Sequence, residues 1–128
     1  MIVLDTHTWI WWVTDSPKLS NTAIKLINDS DSCGVSIISC WETAMLVAKQ
    51  RIGFNKDIQD WIEQALQRPK TILLKLDPKI TVLSTRLPGD FHSDPADRFI
   101  VATCLALGVP LITKDKRISQ YSFIQTFW

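Results

Sequence analysis

Residues 1–12, MIVLDTHTWIWW, run four apolar side chains straight into an aspartate. Ile2, Val3 and Leu4 read as a short strand that is apolar on both faces, the pattern of a parallel sheet with helices above and below it. Asp5 then stands at the carboxyl end of that strand. Ligands gather at this edge of open α/β sheets, so fold and function are both read outward from the same residue.

Beyond Asp5, THTWIWWVTD (6–15) and the segment Ser20 to Asn28, with Ala23, Ile24 and Ile27 on one face, read as helices. CGVSII (33–38) is a second buried strand. SCWETAMLVAKQRIG (39–53) reads as a helix with Ser39 as N-cap, basic residues in its last turn and Gly53 just past its end. Asp57 opens another helix with Ile58, Trp61, Ile62, Ala65 and Leu66 on one side.

KTILLKL (70–76) reads as a third strand, and Asp77 with Pro78 forms a cap and first-turn pair for a short helix reaching about Arg86. LPGDFHSD (87–94) is loop. Asp94 and Pro95 repeat the cap-then-proline signal before ADRFIVATCLAL (96–107), which Gly108 ends. VPLIT (109–113) is a fourth strand, KDKRISQY (114–121) a turn or short helix, and SFIQTFW (122–128) a candidate fifth strand. Strands alternating with helices imply βαβ units: a single α/β domain over residues 1–128, with a central parallel sheet of four to five strands between helical layers.

A chain of 128 residues can bury one real core but not two. Its 14 Lys and Arg against 13 Asp and Glu leave a formal charge of +1, so any surface for a polyanion must be local. Cys33, Cys40 and Cys104 lack CxxC spacing and sit in apolar runs, which points to reduced core thiols rather than zinc or disulfides, and to a reducing cytosol. No apolar run reaches the length of a membrane span, and no basic segment precedes MIVLD, so neither a span nor a signal peptide is expected. Trp9, Trp11 and Trp12 are more than one helical face can hide in a small core; a partner surface and a wide core-facing stripe are equal readings.

The acids can be sorted by position. Asp5 ends the first strand, Glu42 lies in the first turn of the helix after the second, and Asp115 follows the fourth. These three share one edge of a parallel sheet. Asp97 precedes its strand, but a crossover helix returns antiparallel to the strands, so its first turn begins at that edge too. Carboxylates crowded into one crevice repel and raise one another's pKa values, and such a cluster normally holds a proton or a cation. Hard oxygen ligands without a histidine pair select Mg²⁺ or Mn²⁺, and that points to metal-assisted phosphodiester cleavage.

Each acid also has a plainer reading. Ser39 and Glu42 could form a capping box, which taken alone is the better account of that pair. Asp94 reads as the N-cap of its helix, with Asp97 favoured by the helix dipole, and Asp115 as a solvated turn residue. Asp5 resists such dismissal, because a buried strand end is a costly place for an unpaired charge.

IVLDTHTW, VSIISCWE and DPADRFIVATCLALGVPLITKDKRI, in that order, resemble the PIN-domain ribonucleases, and specifically the VapC toxins of prokaryotic toxin–antitoxin pairs. The likeness spans nearly the whole chain and is densest from His92 to Tyr121. By position, Asp5, Glu42 and Asp97 resemble the core metal-binding acids and Asp115 the more variable fourth. Thr6 and Thr113 resemble the hydroxyl residues that hold the acids or the metal's water, and Asp94 stands where many members carry an acid. The alanine of DPAD departs from the bulkier residue common in relatives, with no loss of chemistry expected. The resemblance implies a PIN-like α/β/α fold with a five-stranded parallel sheet, Mg²⁺- or Mn²⁺-dependent endoribonuclease activity, homodimers, and inhibition by a VapB antitoxin whose tail covers the acidic crevice.

RNA must reach an acidic pocket, so cations should flank it. Arg98, Lys114, Lys116 and Arg117 adjoin two of the acids and are the candidates for backbone contacts. His92 is a substrate-contact candidate whose plainer reading is a surface histidine, and His7 reads as packing or hydrogen bonding. Two rival functions remain. An aspartate-based phosphotransfer domain would also place Asp5 after the first strand, but DTHT lacks the second acid two residues on that a dehalogenase-type phosphatase needs. A non-catalytic binding module would keep the fold and use the acids as caps.

Overall fold

Five parallel strands carry the molecule in the order β3-β2-β1-β4-β5. The computed structural model describes residues 1–128. Along the chain the elements are β1 (Ile2–Leu4), α1 (Thr6–Val13), α2 (Asn21–Asp29), β2 (Cys33–Ser36), α3 (Ile37–Ala48), α4 (Ile58–Leu66), β3 (Thr71–Leu74), α5 (Pro78–Thr85), α6 (Pro95–Leu107), β4 (Leu111–Ile112), α7 (Lys116–Ser119) and β5 (Thr126–Phe127).

β1 is central and wholly buried, as its three apolar residues require. Val3 pairs with Gly34 on one side and Leu111 on the other. Ile2 and Leu4 enter a core with Trp9, Ala23, Ile27 and Trp61. Val3 faces the opposite core, built from Ile100, Val101, Leu111 and Ile118. Alternate residues of one strand therefore feed two cores, and the sheet is sandwiched between helical layers. From β1 the chain moves outward through β2 and β3, then crosses back to add β4 and β5 on the other flank. The connections leaving β1 and β4 diverge at that reversal, which opens a crevice at their carboxyl ends.

Helix punctuation follows the expected side chains in most places. Ser20, Asp57, Asp77 and Asp94 each cap the helix they precede, with Pro78 and Pro95 in the first turns behind two of them. Gly108 ends α6 in the left-handed region at φ 66°, a conformation glycine adopts without steric cost.

α3 departs from expectation at both ends. The second strand stops at Ser36 rather than continuing through Ile38, and Ser36, not Ser39, is the N-cap; its Oγ accepts from the Ile38 amide at 3.1 Å. Ser36 and Ser39 are both N-cap side chains, and the Ile37–Ile38 pair between them fits a strand end as well as a first helical turn, so periodicity cannot locate the boundary. Glu42 consequently falls in the second helical turn, and the Ser39–Glu42 capping box does not form. At the far end α3 stops at Ala48, and Gln50, at φ 58°, takes the left-handed position that Gly53 was expected to supply. The fifth strand is real but short, pairing Thr126 and Phe127 with Leu111 and Ile112.

The three cysteines are free and buried. Burial pushes the Cys40 thiol up to about 11 and Cys104 up to about 12, so neither is a nucleophile at neutral pH. The tryptophan cluster divides. Trp9 is fully buried and meets Trp61 edge-on at 5.4 Å. Trp12 is half-buried beneath the Arg68 guanidinium, 4.4 Å from the ring centroid, and Trp11 has Lys18 and Lys114 each 5.9 Å from its ring. No helix is long and apolar enough to cross a membrane.

Candidate active site

The end of β1 runs directly into α1, and Asp5 is the residue between them. Its extended backbone makes it the N-cap, with Oδ1 accepting from the Thr6 amide at 2.9 Å. Thr113, at the end of the neighbouring strand β4, donates its hydroxyl to Asp5 Oδ2 at 2.7 Å. The same hydroxyl oxygen accepts from the Asp115 amide at 3.1 Å. Pairing of β1 with β4 thus ties the first acid to the loop that carries the last one.

Thr6 performs the matching task for α3. Its hydroxyl lies 2.5 Å from Glu42 Oε1 and 2.9 Å from Ser39 Oγ. With a single hydrogen to give, Thr6 donates to the carboxylate and accepts from the serine. Ser39 is buried beneath this pair, so it supports Glu42 through Thr6 rather than by capping the helix.

Asp94 and Asp97 share the start of α6. Asp94 caps it through the Ala96 amide at 3.2 Å, and Asp97, in the first turn, is 7 % exposed. The one polar group against Asp97 is His92, whose Nε2 lies 3.1 Å from Oδ2. Asp115 caps α7, with Oδ1 accepting from the Arg117 and Ile118 amides at 2.8 and 3.1 Å.

Asp5, Glu42, Asp94, Asp97 and Asp115 all line one cavity of about 410 Å³, together with His7, Thr8, Trp11, Lys114 and Arg117. A larger cavity of about 550 Å³ between α1 and α4 carries no acid, so size does not mark the site; titratable chemistry does. Of the four cations expected at its rim, Lys114 and Arg117 line the cavity and Lys116 does not. Arg98 is a correction. Its Nε donates to Ser84 O at 2.7 Å and its Nη1 to the carbonyls of Phe91 and His92 at 3.0 Å each, so its guanidinium braces a loop and is not offered to substrate.

The electrostatics follow from this crowding. Burial, followed by the charges of Asp5, Asp94, Asp115 and Glu42, pushes the Asp97 carboxyl up to about 8. Burial raises Asp5 as well, and the bonds from Thr113 and Thr6 pull the other way. Glu42 is raised by burial and relieved by Thr6. No three of the acids close into a ready ligand cage; they stand around a space instead. Mg²⁺ keeps several of its waters and binds through few protein carboxylates, so an acid-lined cavity of this size fits a hydrated hard cation. Two features had little signal in the sequence: His92 against Asp97, whose spacing of five residues matches no ligand motif, and Trp11 at the cavity wall.

The PIN-domain family model matches residues 2–124 of the chain. Ribonuclease VapC22 of Mycobacterium tuberculosis is 32% identical over 120 residues, covering 94% of this chain and 91% of that protein. Among solved structures, VapBC2 from Rickettsia felis bound to a DNA fragment from its promoter superposes with a TM-score of 0.71 at 16% identity, over 100% of this chain and 99% of the other. FitAcB from Neisseria gonorrhoeae gives a TM-score of 0.67 at 16% identity, over 100% and 97%. DNA-bound VapBC from Salmonella typhimurium gives 0.71 at 14%, over 98% and 96%. The chain belongs to the PIN-domain family, among the relatives of VapC.

Proposed function

We propose that this chain is a Mg²⁺- or Mn²⁺-dependent endoribonuclease, the toxin of a VapBC-type pair, that hydrolyses RNA phosphodiester bonds. The observation that carries the proposal is the convergence of Asp5, Glu42, Asp97 and Asp115 on one cavity, with Asp97 driven up to about 8 by burial and then by its acidic neighbours. A fold tolerates such repulsion where a proton or a cation relieves it.

In this reading Asp5, Glu42, Asp97 and Asp115 hold the cation. When bound, the cation supplies Lewis acidity, activating water and neutralising charge that develops on the phosphate. The chain's own residues prepare the place. Thr113 and Thr6 fix the orientations of Asp5 and Glu42 before any ligand arrives. Lys114 and Arg117 at the rim offset the negative wall and receive the RNA backbone, contacts that position a strand without reading its sequence. A VapB-type antitoxin is the proposed inhibitor, its tail covering the crevice. A second copy of the chain is the proposed partner, with Trp41, 54% exposed on α3, among the side chains such contacts would cover.

An aspartyl-phosphate mechanism finds no support in the same geometry. Both Asp5 oxygens already accept hydrogen bonds, the state of a held ligand more than of an attacking nucleophile. RNA cleavage by the purified chain tests the proposal. Wild type should cleave with Mg²⁺, lose the activity in EDTA and regain it with added Mn²⁺, while Asp5→Asn stays inactive throughout. Equal activity of wild type and Asp5→Asn in nuclease-free preparations would refute catalysis at this site.

A further inference from the structure

The loop between α5 and α6 is tied down at more points than an ordinary surface connection. Arg98 reaches from the first turns of α6 to the carbonyls of Phe91 and His92 and, through Nε, to Ser84 O at the end of α5. Tyr121 donates its hydroxyl to Pro88 O, and its ring meets Phe91 edge-on at 5.0 Å. These ties hold one side chain over the acid cluster. His92 leans on the Phe91 ring at 4.3 Å and brings Nε2 to 3.1 Å from Asp97 Oδ2, with its side chain 18% exposed.

Neither His92 ring nitrogen has a hydrogen-bond partner; Nε2 comes within 3.1 Å of Asp97 Oδ2 without the alignment of a hydrogen bond, and that approach is the ring's one close polar contact. Asp97 is in the same position, since neither a backbone amide nor a hydroxyl donates to it. Asp5 is held by Thr113 and Thr6, and Glu42 by Thr6. Asp97 has His92 alone.

We propose that His92 is the positioning residue for Asp97, restraining Oδ2 through its Nε2–H so that the other carboxylate oxygen is presented to a divalent cation. The inference rests on the cation-dependent reading above. A carboxylate held at one oxygen keeps its orientation when it ligates with the other, and losing such an outer partner typically costs about 10- to 100-fold in metal affinity. The opposite role, in which His92 stands in for the cation and is expelled when it binds, has the opposite consequence.

Mn²⁺ titration of the full chain, followed by electron paramagnetic resonance, separates them. His92→Phe keeps the ring volume against Phe91 but removes the N–H, and should weaken Mn²⁺ binding about tenfold. His92→Gln returns an N–H donor and should recover most of the affinity, with melting curves showing both variants folded. Unchanged or tighter binding in His92→Phe would overturn the proposal. Should that variant fail to fold, the wild-type imidazole resonances decide: an Nε2–H that stays protonated and restrained at saturating Mg²⁺ supports the role, and a released ring or an Nδ1–H tautomer overturns it. Wild type that binds no Mn²⁺ defeats the cation reading and this inference together, whereas wild-type binding with an indifferent His92→Phe defeats the inference alone.

Discussion

Asp5 and Asp97 are almost equally hidden, 9% and 7% exposed, and they face the same cavity, yet the fold supports them unequally. Asp5 caps a helix and takes a second bond from Thr113 across the β1–β4 pairing, so its charge is part of how the central strand ends. Asp97 lies among like charges with one imidazole beside it. Burial raises both carboxyls, but at Asp5 the two bonds offset part of that cost, whereas at Asp97 the neighbouring charges add to it. Strain of this kind is informative because stability alone would remove it.

The sharpest way to break this contrast is to neutralise each acid in turn. Asp97→Asn and Asp5→Asn should both cut RNA cleavage, by about 100- to 1000-fold for loss of a charge that acts in the transition state. Their metal-free stabilities should diverge. Asp97→Asn removes repulsion and should stabilise the protein by about 1–2 kcal/mol at pH 8, while Asp5→Asn sets the relief of a buried charge against weakened bonds from Thr6 and Thr113 and should gain less. Urea denaturation in EDTA measures both; equal shifts would erase the distinction between the two acids.

Wild type should show the same burden through pH. The folded Asp97 keeps its proton up to about 8, against an ordinary 3.8 for a free side chain. Between those values the folded state binds more protons than the unfolded, so metal-free stability should fall as pH rises from about 4 to 8, by about 2 kcal/mol after allowance for relaxation. Asp97→Asn should flatten that slope. Stability that rises with pH across this window would contradict the account of Asp97.

Removing a tie from the well-held side is expected to matter less. Thr6→Val deletes the hydroxyl shared by Glu42 and Ser39 and should cost about 1–2 kcal/mol, read by denaturation in EDTA at pH 7. The smallest effects belong to the rim. Arg117→Ala should weaken RNA binding and lower its salt dependence by about one unit, whereas Lys116→Ala, outside the cavity, should change binding less than twofold. Anisotropy titrations over a range of salt distinguish the two.

The Asp5 side was readable in the chain because local chemistry decides it. A buried strand followed by an acid, caps at Asp57, Asp77 and Asp94, and Gly108 after a helix each depend on neighbours a few residues away. The parallel order of strands then carries Asp5, Glu42 and Asp115 to one edge, and the returning helix brings Asp97. What escaped depends on distant partners or on choices between neighbouring caps. VSIIS offers Ser36 and Ser39 as equivalent N-caps, and packing selects the helix that starts at Ile37, so the capping box that SCWE spells does not form. Arg98 looked free because its acceptors are carbonyls of a loop whose path no pattern specifies. His92 looked like surface for the same reason.

The central claim is that these acids are held together in order to bind a divalent cation. The melting temperature of the wild-type protein at pH 7.5, followed as Mg²⁺ is added from zero to saturation, tests it most directly. Binding to the folded state alone raises stability with the logarithm of free ligand, so the melting temperature should climb with Mg²⁺, and the climb should vanish in Asp97→Asn. A wild-type melting temperature indifferent to both Mg²⁺ and Mn²⁺ would contradict the account.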